Sequence, residues 1–267
     1  MFMSSGSPGN DTMVIKNNGN VGIGTGTPNG ILDINKNIII APATTGTGAT
    51  DRANIQGAIN AVHIKGGGTV ILQAGTYKVD KVGEGQSYAI ELKDKVHLCG
   101  ASSKGTTIQP TQNDTTLIIL DTTAQAFVEN VIKNLRIFND DKTGCVGIWL
   151  GTNNSNPIYS PQPSLAENLV IEGTTNNYMN IGIQVSSWFS KIHNCNFNYC
   201  TTGIRLEFIY QGTFGDTNAS TVEQCRIWGV STGVFIRGAG NKVIHSNIGG
   251  IAAGGNGVII SQLPCWV

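Results

Sequence analysis

The chain has 267 residues, of which only 13% are charged, and its 17 basic residues balance its 17 acidic ones. This balance leaves no strongly basic surface for nucleic acid or for an anionic membrane, so neither partner is expected. No apolar run approaches the roughly 18 residues that span a bilayer, and the start carries no export signal, so membrane insertion is not expected either. The 35 glycines, with many Asn and Thr residues, favour strands and tight turns over helices.

The opening stretch "VIKNNGNVGIGTGTPNGILDI", residues 14–34, is rich in Gly, Asn and Thr and nearly uncharged. Its pattern predicts short strands and turns with almost no core of their own, so it should find its partners in neighbouring chains. Residues 1–44 are therefore interpreted as an oligomer-forming stalk, and residues 45–267 as the main domain. A disordered linker is the alternative for the first segment.

A short helix is predicted next, in "TDRANIQGAINAVHIKGGG". Thr50 or Asp51 can cap its start, and the three glycines at 66–68 should end it. Its apolar residues recur at helical spacing and are Ile55, Ala58, Ile59 and Val62. Such a helix would cover the open end of the strands that follow, whose apolar rows would otherwise be exposed.

An internal repeat fills the second half of the chain. Each copy begins with a segment of two short apolar strands joined by a bend. A further apolar strand, such as "GIWL" at 147–150, follows later in the same copy. The first parts of the five copies are "VIKNLRI", "LAENLVI", "KIHNCNF", "TVEQCRI" and "VIHSNI". Their aligned positions 134, 168, 194, 224 and 245 are 34, 26, 30 and 21 residues apart, which is typical of a solenoid with variable loops.

Stacking the copies places like residues on like. Five inward rows result, one of them formed by Ile132, Ala166, Ile192, Val222 and Val243. The first and second rows are three residues apart and not two, so the chain must bend between them, at Asn134, Asn168, Asn194 and Gln224. Asn tolerates the left-handed backbone conformation that such a bend needs, so a structural role is preferred there over catalysis. The six cysteines lack CxxC pairs and are interpreted as reduced core thiols, with Cys195 and Cys225 stacked on adjacent turns.

Residues 51–79, together with "ELKDKVHLCGASSKGTTI" at 91–108, resemble the N-terminal signature of the pectate-lyase-like right-handed β-helix family. The resemblance implies a single-stranded right-handed parallel β-helix with an N-terminal capping helix and a small β stalk. The opening segment resembles an element common in phage tail fibres and tailspikes. The sequence ends without a capping helix, so the β-helix domain is expected to be incomplete at its C-terminus.

Three functions are consistent with that resemblance. The preferred one is a homotrimeric phage tailspike or tail fibre, located in the virion with other tail proteins, that binds a bacterial surface polysaccharide. One alternative is a secreted, extracellular bacterial polysaccharide lyase or epimerase. The other is a purely structural virion fibre with no affinity for glycans.

In related β-helices the site lies on the outer face of one sheet, which here is predicted to be the sheet of the "GIWL" strands. Aromatic platforms and polar side chains on that face are candidates for glycan binding. The candidate residues are Trp149, Gln184, Arg205, Phe235 and Arg237.

Whether the protein is also an enzyme, a glycoside hydrolase or polysaccharide lyase, stays open at this stage. Glycoside hydrolysis needs two carboxyl groups, and the candidate pair is Glu207 and Asp216. The alternative for Glu207 is a surface ion pair with Arg237 on the next turn. Four scattered histidines give no ligand spacing, so neither a metal nor another cofactor is expected.

Overall fold

The computed structural model describes residues 13–23, 28, 31–34, 38–83, 86–120, 129–151, 163–210, 213–215, 217 and 219–261. One helix, α1 (Gly48–Ile64), and 27 strands lie within these ranges. None of the helical structure in this part of the chain is long and apolar enough to cross a membrane.

The strands form three large sheets and one hairpin. Sheet A contains β1 (Val14–Ile15), β2 (Val21–Ile23), β3 (Leu32–Ile34), β4 (Ile38–Ile40), β5 (Gly68–Leu72), β8 (Val96–Gly100), β11 (Asn130–Lys133), β14 (Ser164–Glu167), β17 (Lys191–His193), β22 (Thr221–Glu223) and β25 (Lys242–Ile244). Sheet B contains β6 (Gly75–Val79), β9 (Thr106–Pro110), β12 (Arg136–Phe138), β15 (Val170–Glu172), β18 (Asn196–Asn198), β23 (Arg226–Trp228) and β26 (Asn247–Gly249). Sheet C contains β7 (Tyr88–Leu92), β10 (Thr116–Leu120), β13 (Val146–Leu150), β16 (Met179–Val185), β19 (Cys200–Leu206), β24 (Thr232–Arg237) and β27 (Asn256–Ser261). The antiparallel hairpin joins β20 (Phe208–Tyr210) and β21 (Thr213–Gly215).

From β5 onward, every pairing within the three sheets is parallel, and the chain visits sheets A, B and C in turn. Each turn thus adds one strand to each sheet, directly above the strand of the turn before. This arrangement is a right-handed parallel β-helix with one helix at its first turn, and it confirms the fold predicted from the sequence.

The stacked rows predicted from the sequence line the inside of the β-helix. The register pairs Ile132 with Ala166, Ala166 with Ile192 and Ile192 with Val222, and all four side chains are buried. The rows that start at Ile137, Ile148 and Leu150 follow the same register, and as far as β24 they form one continuous apolar core. Burial of this long stack is the main source of stability of the fold.

The predicted bends lie between the strands of sheets A and B. Asn134, Asn168, Asn194 and Gln224 have φ values of 56°, 53°, 50° and 54°, as the left-handed conformation requires. Asn168 Nδ2 donates to Asn134 Oδ1 at 2.6 Å, so the side-chain amides of two adjacent turns bond to each other at this bend. The structural interpretation of these side chains is confirmed.

The described cysteines are free and buried, as predicted; they are Cys99, Cys145, Cys195, Cys200 and Cys225. Cys195 and Cys225 stack on adjacent turns, and burial raises the pKa of the Cys195 thiol well above its usual range. Cys265 lies outside the described residues.

Helix α1 covers the first turn and contacts strands of all three sheets. Its buried apolar residues are the four predicted ones, but the helix begins at Gly48, so neither predicted cap residue lies at its start. Asp51 is instead completely buried in the first helical turn. Its carboxylate accepts hydrogen bonds from Thr44 Oγ1 at 2.7 Å, Thr45 N at 2.6 Å and Lys78 N at 3.1 Å, among others.

The opening strands extend sheet A beyond the first turn. β1 pairs antiparallel with β2, β3 pairs antiparallel with β4, and β4 joins the first turn by pairing parallel with β5. Apolar side chains on this extension are exposed; they are Met13, Ile15, Ile23 and Ile31. The boundary at residue 45 and the association of this segment with other chains remain predictions.

Candidate functional site on the outer face of sheet C

Four of the five predicted glycan-binding side chains lie in one row along the outer face of sheet C, and the fifth, Arg237, lies two residues beyond Phe235 on β24. The register pairs Trp149 with Gln184, Gln184 with Arg205 and Arg205 with Phe235. These four positions come from β13, β16, β19 and β24, so the row follows the axis of the β-helix across four consecutive turns. Their pairing is as the sequence predicted, while their binding role remains a prediction.

Hydrogen bonds fix the first two side chains of this row. Trp149 Nε1 donates to Ser186 Oγ at 3.0 Å, and Ser186 Oγ donates to the backbone carbonyl of Glu207 at 3.0 Å. Gln184 Nε2 donates to the same carbonyl at 2.5 Å. Gln184 is 3% exposed, and its Oε1 is buried with no hydrogen-bond partner. The indole of Trp149 is therefore held in a fixed orientation, and the neighbouring Gln184 has an unpaired, buried Oε1.

Glu207 directly follows β19, and its carboxylate binds the side chains of Arg205 and Arg237. Its Oε2 accepts from Arg205 Nε at 2.6 Å, and the two side chains also form an ion pair through Arg205 Nη2. Its Oε1 accepts from Arg237 Nη1 at 2.9 Å. The predicted ion pair with Arg237 is confirmed, but its predicted surface location was wrong, because Glu207 is only 1% exposed.

Glu207 is buried because other residues pack around it in the folded chain, and this packing cannot be predicted from the sequence alone. The hairpin β20–β21 follows Glu207 directly in the chain. A buried carboxylate is tolerated only when charged partners and hydrogen bonds replace its lost hydration, and the two guanidinium groups do so here. Arg205 is the partner that the sequence argument missed; it lies two residues before Glu207 and so on the same face of the strand.

The Arg205 guanidinium also lies over an aromatic ring, with its Cζ 5.5 Å from the centroid of Phe235. Trp149, Arg205, Phe235 and Arg237 are all partly exposed. The face thus offers two aromatic side chains, two guanidinium groups and a buried amide, all within four turns.

The second predicted catalytic residue, Asp216, lies outside the described residues, so the Glu207–Asp216 distance and the catalytic role of both remain predictions. Within the described ranges, no three His, Cys, Asp or Glu side chains cluster so that they could hold a metal ion.

No family model matches the sequence. Over 59 residues, or 22% of the chain, it is 49% identical to mannuronan C5-epimerase AlgE4 of Azotobacter vinelandii. It is also 46% identical, over a match of 59 residues or 22% of the chain, to mannuronan C5-epimerase AlgE6 of the same organism. The matched parts are 11% of AlgE4 and 7% of AlgE6, so the chain spans only a small part of these relatives.

Solved structures with a similar chain path include the A-module of AlgE6 from Azotobacter vinelandii. It has a TM-score of 0.37 and 17% identity, over 83% of this chain and 73% of that one. ORF18 of Geobacillus virus E2 has a TM-score of 0.29 and 15% identity, over 82% of this chain and 60% of that one. This chain is a right-handed parallel β-helix protein with a local sequence similarity to mannuronan C5-epimerases.

Proposed function

We propose that this protein binds a polysaccharide along the outer face of sheet C. The observation that carries the proposal is the row of Trp149, Gln184, Arg205 and Phe235, which lies in register across four turns. Turns repeat about every 4.8 Å along the axis, so a linear polymer lying on this face meets a new side chain at each step.

The chemistry of the row suits sugars. Aromatic rings pack against the C–H faces of sugar rings, while amides and guanidinium groups bond to hydroxyl and carboxylate oxygens. Gln184 is buried, so its amide supports the row from below, and the partly exposed Trp149, Arg205 and Phe235 are the groups that a sugar contacts.

The face is also organised before any ligand binds. Trp149 is held by Ser186, Gln184 by the Glu207 carbonyl, and Arg205 by the Glu207 carboxylate. Side chains that are already fixed lose little conformational entropy on binding, which favours affinity.

Binding is favoured over cleavage by the contacts of Glu207. Both of its carboxylate oxygens accept hydrogen bonds from guanidinium groups inside a buried site. Hydrolysis by Glu207 and Asp216 therefore stands as a subordinate hypothesis. Release of oligosaccharides from a bound polysaccharide, abolished by Glu207→Gln together with Asp216→Asn, would support it; release unaffected by both changes would exclude this pair.

More specifically, we propose that the protein is a tailspike or tail fibre of a phage virion. It would assemble as a homotrimer and contact other tail proteins. Its support is the resemblance of the opening segment to such fibres, and the exposure of Met13, Ile15, Ile23 and Ile31 on the extension of sheet A. Exposed apolar side chains of this kind favour contact with another chain.

Light scattering on the whole chain and on a variant lacking residues 1–44 tests this assembly. We expect the mass of a trimer for the whole chain and of a monomer for the variant. A monomer in both cases would contradict the trimeric stalk.

The second candidate is an extracellular enzyme acting on a polyuronate, and the local identity to mannuronan C5-epimerases favours it. Proton NMR of polymannuronate incubated with the protein tests it directly. Residues inverted at C5, or unsaturated ends, would establish an epimerase or a lyase; an unchanged polymer that still binds would leave the binding proposal standing.

Polysaccharide binding is tested on an array of bacterial surface glycans that includes polymannuronate. Replacing Trp149 with Ala should weaken binding by about tenfold, or about 1.4 kcal/mol. Trp228→Ala is the matched control, because Trp228 is an exposed tryptophan on sheet B. Equal affinity of both variants and the parent would contradict the proposed surface. Silence of the folded protein on the whole array would favour a purely structural fibre.

A further inference from the structure

The outer face of sheet A is apolar over its first eight strands. Along the strands of this sheet, a side chain that points into the core alternates with one that points outward. In β5, for example, Val70 and Leu72 are fully buried, whereas Ile71 between them is partly exposed. From β1 to β14 most outward residues are apolar and reach solvent at least in part; they are Ile15, Val21, Ile23, Leu32, Ile38, Ile40, Ile71, Val131 and Leu165.

Beyond β14 the same face becomes polar. Five of the six outward residues of β17, β22 and β25 are polar or charged, as expected where a sheet faces water. The six are Lys191, His193, Thr221, Glu223, Lys242 and Ile244. The parallel register continues unchanged from β5 to β25, so the backbone does not explain the change. The first part of the face has the composition of a surface that another protein covers.

The apolar part of the face is long enough for a contact between two proteins. It runs through eight adjacent strands, which lie about 4.8 Å apart, so it extends over roughly 34 Å. At β11 and β14 it includes a recess of about 300 Å³ that is lined by Val131, Leu165 and Phe189, with Glu129 and Lys191 beside them. A continuous apolar surface of this length is rare on a protein that works alone.

The charge and the position of this surface fit a second copy of the same chain. Among the described residues from β1 to β14, the outward side chains with a full charge at neutral pH are Lys133 and Glu167, which have opposite signs and are paired in register. The surface therefore carries no net charge that would repel an identical surface, and the whole chain is neutral as well. It also continues into the strands of Ile15 and Ile23, whose exposure already supports contact with another chain.

We propose that the outer face of sheet A from β1 to β14 is the surface through which copies of this chain pack together, with the faces of three copies turned toward a common axis. This inference rests on the homotrimer proposed above, and it adds the β-helix itself to the contact. Six of the nine apolar positions precede residue 45, so a variant lacking residues 1–44 loses most of the surface and should be a monomer. The outer face of sheet C lies outside the contact and stays accessible to a polysaccharide.

Sedimentation velocity of the whole chain over a series of protein concentrations tests this surface. Ile71→Lys places a charge within the apolar part of the face and should raise the dissociation constant of the assembly by at least about a hundredfold. Ile244→Lys is the matched control, because Ile244 is an outward isoleucine of the same row on the polar part of the sheet. It should leave the assembly unchanged.

Two further variants guard against misfolding and test how far the contact extends. Ile71→Thr keeps a β-branched side chain, which a strand accepts, and should weaken the assembly by about tenfold even if Ile71→Lys fails to fold. Leu165→Lys changes the recess at the far end of the surface and should also weaken it by about tenfold. Thr221→Lys, two turns further along the same outward row as Leu165, is its control.

The outcomes distinguish this surface from the homotrimer itself. A trimer that Ile71→Lys and Ile71→Thr leave intact would overturn the surface and leave the trimer standing. A dimer that dissociates in Ile71→Lys but not in Ile244→Lys would support the surface and contradict the trimer. A parent chain that is monomeric at every concentration would overturn both. Glycan binding on the array is measured separately, so its failure would not affect any of these results.

Discussion

The first and last turns of the β-helix contain the same kinds of residue in very different surroundings. At the first turn, Ile55 and Ile59 of α1 close the core and are fully buried. In the last described turn, Val258 and Ile260 are 45% and 68% exposed. The difference shows that burial in a solenoid depends on having a neighbour on both sides, and not on the residue type alone.

The contrast is sharpest within single rows. Val234 pairs in register with Val258, and Ile236 with Ile260. The first member of each pair is 0% and 6% exposed, whereas the second faces solvent. One turn along the axis is therefore enough to change the same position from core to surface.

The largest expected effect comes from comparing these two environments directly. Ile204→Ala in a buried turn should lower the free energy of unfolding by about 2 to 5 kcal/mol, because it leaves a cavity. Ile260→Ala should lower it by less than about 1 kcal/mol, since most of that side chain is already in water. Urea unfolding followed by circular dichroism measures both values. Equal losses would show that the last turn is covered in solution.

At the capped end, the next largest effect is expected for Asp51. Its carboxylate ties residues 44–46 and the strand at Lys78 to the first turn of α1. Asp51→Ala leaves several buried donors without an acceptor and should lower the free energy of unfolding by about 2 to 3 kcal/mol.

Asp51→Asn is the matched control for this prediction. It keeps one acceptor oxygen and the side-chain volume, so its loss in the same urea experiment should be smaller. Similar stability of Asp51→Ala and the parent chain would show that the cap is held by the apolar face of α1 alone.

Much of the fold could be predicted from the sequence because a β-helix repeats its constraints. The row from Ile132 to Val222 and the bends at Asn134, Asn168 and Asn194 follow from the period-2 alternation of strands and from the left-handed preference of Asn. Each turn repeats the same pattern of inward apolar residues and a bend, so an ambiguous pattern in one turn can be interpreted from the turns beside it.

The parts that could not be predicted depend on contacts across loops of unequal length. The burial of Glu207 depends on packing around it in three dimensions. The sequence pattern predicts only that Glu207 and Arg237 occupy equivalent positions on adjacent turns. The start of α1 was misplaced because Asp51 resembles a cap residue, although its carboxylate bonds to the preceding segment.

The smallest expected effect is a pH dependence that arises near the capped end, at His97 in β8. Burial, and secondarily the charge of Lys133, lowers the pKa of His97 below its ordinary value, while Glu129 acts in the opposite direction. Its Nδ1 is buried without a hydrogen-bond partner. As the pH falls below about 6.5, the unfolded chain binds a proton at this residue more readily than the folded one, so stability decreases down to the folded pKa. His97→Gln should flatten the decline in melting temperature between about pH 7 and pH 5, whereas His245→Gln, at an exposed position of the last turn, should leave it in place. If the melting temperature declined equally with pH in the parent chain, His97→Gln and His245→Gln, the pH dependence would belong to other groups and not to His97.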